Sequence, residues 1–146
     1  MIKFKDITKI IADYLAEKMP HINIDAGKYG EMPSITPIIW IYIEPSRNML
    51  TNVNTVPIVK QAKVTLFGIA DASVDKYNAM INSVELIEEA EKFLFENEFE
   101  DYINNHSANV NQLYSSIKYA EEQALSFDNI YSDYAVAYLE ILVPYV

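Results

Sequence analysis

The segment "YSDYAVAYLEILVPYV", residues 131–146, decides how this chain is read. Successive side chains of a strand point to opposite faces. Tyr134, Val136, Tyr138, Leu142 and Val146 fall on one parity, and Ala135, Ala137, Leu139, Ile141, Val143 and Tyr145 on the other. A strand with one face in water alternates apolar and polar residues, whereas this one is apolar on both. One face is expected against helices that carry Ile11 and Ile87. The other is expected against a further strand layer or a neighbouring subunit.

Working outward, "YSSIKYAEEQALSFD" is a second alternating run, separated from the last by Asp128 and Asn129, and the pair reads as an antiparallel hairpin. "ITPIIWIYIEP", residues 35–45, is bounded by prolines and rich in β-branched and aromatic residues, which predicts a buried strand. "IVKQAKVTLFGIA", 58–70, predicts another, its first half exposed around Lys60, Gln61 and Lys63 and its second half buried. "HINIDA" is a short strand. Two segments carry helical spacing instead. Ile7, Ile10, Ile11, Tyr14, Leu15 and Met19 form one stripe behind Asp6 as N-cap, closed by Pro20. In "DKYNAMINSVELIEEAEKFLFEN", Tyr77, Met80, Ile81, Val84, Ile87, Ala90 and Leu94 form another, opposite Asn78, Asn82, Glu85, Glu89, Lys92 and Glu96. The order predicts an α+β domain over 1–146, a mainly antiparallel sheet with two helices packed on one face. Residues 46–56 are expected as an extended loop or arm, and 98–113 as an irregular connector with room for a short helical turn.

Composition narrows the function classes. A chain of 146 residues, 51% hydrophobic, suits one domain that buries about two-thirds of its unfolded surface. It has no Cys, so disulfides, thiolate zinc sites and thiol nucleophiles are excluded, as fits a reducing cytoplasm. A net charge of −10 leaves no cationic footprint for nucleic acid or an anionic membrane. The N-terminal apolar residues are interrupted by Asp6, Lys9, Asp13, Glu17 and Lys18, which fits neither a secretory signal nor a membrane span.

No residue set points to catalysis, a cofactor or a metal. The serines lack a Gly-x-Ser-x-Gly context, and His21 and His106 have no carboxylate or second histidine at ligand spacing. Glu85, Glu88, Glu89 and Glu91 crowd one helix, but a solvated face accounts for them, and Asp71 and Asp75 suit the start of that helix. Trp40 is expected to pack in the core. Arg47, the sole arginine, stands beside Asn48, Asn52 and Asn54. A solvated loop charge is its ordinary role, and a carboxylate on a neighbouring subunit is the alternative. The candidate subunit contacts are therefore Arg47, Asn48 and Asn52 on the 46–56 arm and Tyr134, Tyr138 and Leu142 on the closing strand.

The order of an N-terminal helix, "IIWIYIEP" leading into a long polar loop, "KQAKVTLFGIA", the helix from Lys76 and a strand that ends at residue 146 resembles the tail-terminator and tail-completion proteins of long-tailed bacteriophages. The resemblance spans about Ile7 to Val146 and rests on pattern, without a short motif. It implies a non-enzymatic virion protein of the neck or tail top, assembled in the host cytoplasm as a ring, commonly a hexamer. The ring would cap the tail tube, meet a head-completion or connector protein, and let DNA pass without specific binding or any membrane contact. Two other classes compete with it. The charge and the acidic run from Glu85 to Asp101 suit an acidic DNA mimic that inhibits a nucleic-acid-binding host protein, and a small α+β enzyme or ligand-binding domain ranks last.

Overall fold

The computed structural model describes residues 4–26, 33–45, 60–106, 118–119 and 134–145. In chain order these form α1 (Phe4–Lys18), β1 (Asn23–Ala26), β2 (Ile38–Pro45), β3 (Lys60–Asp71), α2 (Lys76–Leu94), α3 (Asn97–His106), β4 (Lys118–Tyr119) and β5 (Tyr134–Tyr145). The fold is α+β. One five-stranded sheet runs β1-β2-β3-β5-β4, and the helices pack against it.

The sheet is mixed. β2–β3, β3–β5 and β4–β5 are antiparallel, whereas β1 joins β2 in parallel, pairing Asn23 with Ile38 and Ala26 with Ile41. The two long strands pair along their whole length, from Lys60 with Tyr145 to Asp71 with Tyr134. Of the expected hairpin, the described residues show the antiparallel pairing of β4 with β5, Lys118 opposite Glu140 and Tyr119 opposite Leu139. Asp128 and Asn129 themselves lie outside the described residues.

The sheet's registered pairs sort the core. On one face, Ile39, Ile41, Val64, Leu66, Ala137, Leu139, Ile141 and Val143 are buried beneath Ile7, Ile11, Tyr14 and Leu15 of α1 and Leu86, Ile87, Ala90 and Leu94 of α2. This is the parity expected to meet Ile11 and Ile87. β3 alternates from Ala62 to Phe67, and Ala62 and Val64 in its first half are fully buried. The expected exposure of the first half is therefore corrected, while Leu66, Gly68, Ile69 and Ala70 bury most of the second half as expected. Lys63 lies on the opposite face, so its charge needs no exposure of its neighbours.

Where α2 crosses β3 the backbones approach closely. A Cβ on Gly68 would lie 2.7 Å from the Ser83 carbonyl oxygen and 2.8 Å from Ile87 Cγ1, too near for either to accommodate. Ser83 is fully buried there, and its hydroxyl donates to the Met80 carbonyl oxygen at 2.8 Å. Ala70, Ala72, Ala79 and Ala135 form a second small cluster nearby. This close contact rotates α2 from the predicted stripe. Ala79, Ser83 and Leu86 join Ile87, Ala90 and Leu94 inside, Met80, Ile81 and Val84 move to the flank, and Tyr77 is 67% exposed. Small residues win the buried positions because they permit the approach.

Two further expectations are corrected and one is borne out. α1 begins at Phe4, so Asp6 sits in its first turn, where its charge suits the helix dipole, and is not the N-cap. Asp75 does cap α2, accepting from the backbone N–H groups of Tyr77 and Asn78 at 3.0 and 3.1 Å. Finally, residues 98–106 of the expected irregular connector belong to α3, a third helix among the described residues, which packs against α1 and α2. Phe99 and Ile103, four apart, are fully buried, and Phe99 and Tyr102 flank the Tyr14 ring at centroid distances of 4.8 and 5.0 Å. Lys18 Nζ binds Glu98 Oε1 at 2.5 Å and ties α1 to α3.

Candidate subunit interface

The face of the sheet away from the helices is built from the alternate residues of β2, β3 and β5, and register stacks them into rungs across three strands. Ile38, Ile69 and Val136 form one rung, and Trp40, Phe67 and Tyr138 the next. Tyr42, Thr65 and Glu140 follow, then Glu44, Lys63 and Leu142. Bulky aromatic and β-branched residues suit these positions because directly opposed side chains on one face lie close enough to pack.

The aromatic rungs pack ring on ring, edge to face in two pairs and tilted in the third. Trp40 and Tyr42 have ring centroids 6.3 Å apart at 76°, Tyr42 and Phe67 5.2 Å apart at 86°, and Phe67 and Tyr138 5.8 Å apart at 36°. The result is a continuous aromatic band from β2 through β3 to β5, of the geometry that ring quadrupoles favour.

Burial falls along the band. At the Ile38 end, Ile38, Trp40 and Ile69 are only 7%, 7% and 3% exposed. The Tyr134 hydroxyl there donates to the Pro33 carbonyl oxygen at 3.3 Å, which ties the segment before β2 to the first residue of β5. Trp40 thus packs in the interior as expected, although on the face away from the helices. Tyr42, Phe67, Val136 and Tyr138 are half-buried, as is Leu142, and Glu44 is exposed.

At this more open end one cation serves two anions. Lys63 Nζ lies 3.1 Å from Glu44 Oε1 and 3.2 Å from Glu140 Oε1, linking β2, β3 and β5. The hydrogen bond to Glu44, and then that to Glu140, raise the Lys63 pKa above its ordinary value. The helices are charged differently. α2 carries four glutamates and two lysines, and α3 carries two glutamates and an aspartate with no basic residue beyond His106, together −5 of the chain's −10. The four rungs carry Glu44, Lys63 and Glu140, a net −1.

Of the residues expected at a subunit contact, Tyr134, Tyr138 and Leu142 come together on this face, half-buried. Arg47, Asn48 and Asn52 lie outside the described residues, as does the rest of the 46–56 arm. Tyr42, Phe67 and the Glu44–Lys63–Glu140 triad were not singled out from sequence. Their signal was parity: once "IIWIYIEP" and "KQAKVTLFGIA" are placed antiparallel, Trp40 meets Phe67 and Glu44 meets Lys63.

A cleft of about 430 Å³ lies elsewhere, between the end of β3, α2 and the segment before β2. Ala70 and Leu86 line it together with Asp71, Asn82, Glu85 and Glu89. Glu85 is exposed as expected, while Glu89 is half-buried. Hydrogen bonds from Ser73, including its backbone N–H at 2.8 Å, hold the Asp71 carboxyl below its ordinary pKa. Asp71 therefore caps the turn before α2, one step ahead of Asp75. Among the described residues no cluster of three or more His, Asp or Glu side chains is arranged to hold a metal ion, and no helix is long and apolar enough to cross a membrane.

Compared with known protein families and with curated proteins, the chain matches none.

Proposed function

We propose that this protein is a structural subunit of a long-tailed phage virion, a tail-terminator or tail-completion protein that forms a ring on the tail tube and presents the surface to which the head is joined. The order of the elements supplies the class. The observation that carries the subunit role is the aromatic band of Tyr42, Phe67 and Tyr138, half-buried among four rungs that together carry only −1 in a chain with a charge of −10. Copies of so acidic a molecule repel one another through the α2 and α3 surfaces, and the face away from the helices is where that repulsion is weakest. Aromatic residues with few charges also match the make-up of the buried centre of subunit interfaces. In the assembled ring Tyr134, Tyr138 and Leu142 meet a neighbouring copy, and the acidic surface does not hold the DNA that passes.

Light scattering on size-separated protein, alone and with purified tail tubes, tests this. The expected result is a ring, either free or on the tube, and a Tyr138→Glu variant that keeps its circular dichroism spectrum and a cooperative urea transition but no longer assembles. A wild-type protein that stays monomeric and also fails to bind tubes overturns the proposal.

A further inference from the structure

We draw no further inference here: the strongest candidate, the half-buried aromatic band of Tyr42, Phe67 and Tyr138 beside the buried Trp40 on the face of the sheet away from the helices, belongs to the surface already proposed for subunit contact, and nothing among the described residues shows what covers it.

Discussion

The two faces of the sheet use the same three strands in one register and take its alternate rungs, yet they are built from different kinds of side chain. Beneath the helices stand Ala62, Val64, Leu66, Gly68, Ala137, Leu139 and Ile141, small or aliphatic, and helix side chains fill the spaces between them. On the other face stand Trp40, Tyr42, Phe67, Tyr134 and Tyr138, with one charged triad. Aliphatic strand residues leave their apolar area in water until another layer arrives, whereas rings packed against one another along and across the strands cover part of each other. Each such aromatic pair contributes about 0.5–1.5 kcal/mol beyond its buried area. One face therefore depends on the helices for its stability, and the other is partly self-covering. Both parities of "YAVAYLEILV" can for this reason be apolar although the described helices pack on one side.

Substitutions on opposite parities of β5 give the sharpest test of that difference. Leu139→Ala, at a fully buried position under the helices, is expected to cost about 2–5 kcal/mol, and Leu142→Ala, half-buried on the other face, about 1 kcal/mol in the unassembled protein. Urea denaturation of both variants measures the gap, and equal losses would mean that the two faces contribute alike. Gly68→Ala comes next. Its methyl group has to push apart β3 and α2, and overpacking of this kind costs about 1–3 kcal/mol. A variant as stable as wild type would show that the α2 crossing yields easily.

The triad gives a smaller effect with a definite dependence on pH. Replacing both carboxylates (Glu44→Gln with Glu140→Gln) should cost about 1 kcal/mol or less at neutral pH, because partly exposed ion pairs are screened by solvent. The Lys63 pKa is raised in the folded state, so its contribution is fully present below 10.5 and is lost as pH rises through the folded value. Stability measured from pH 8 to 11.5 should fall less steeply in the double variant than in wild type. Parallel curves would remove the triad from the account of this face.

Much of the fold was legible because its signals are local. The stripe of α1, the core residues Ile87, Ala90 and Leu94 of α2, and the apolar character of both parities of β5 follow from spacing alone. Three features were not legible. The parallel pairing of β1 joins segments whose relative direction is set by tertiary packing, and no local pattern encodes it. α3 was obscured by its acidic and Asn-rich composition, although Phe99 and Ile103 stand at helical spacing and are its buried residues. The exact face of α2 was misjudged because large apolar residues were assigned to the interior, while the approach at Gly68 favours Ala79 and Ser83. At the candidate interface Tyr134, Tyr138 and Leu142 were legible from parity. Phe67, Tyr42 and Lys63 required a register between strands, which a single strand's sequence does not contain.

The smallest expected effect lies on the helix-covered side and asks whether its aromatic contacts work as those of the other face do, by ring packing alone. Tyr14 is 1% exposed, and its ring lies against Phe99 and Tyr102 with Lys18 Nζ 5.7 Å from its centroid. Its hydroxyl is buried with no hydrogen-bond partner among the described residues, and burial is the main cause that raises the phenol's pKa. A buried hydroxyl without a partner has lost its hydration and regained nothing, so Tyr14→Phe keeps every ring contact and removes only the cost. The expected change in the urea midpoint at pH 7 is nil or a gain worth up to about 1 kcal/mol. The phenol is neutral in the folded state beyond its ordinary range, so wild-type stability falls as pH rises above 10.0 through the folded value, and the variant should lose less over the same interval. A loss of stability in Tyr14→Phe at pH 7 would assign the hydroxyl a role in joining α1 to α3, and the contact between these helices would then differ in kind from the aromatic band on the opposite face.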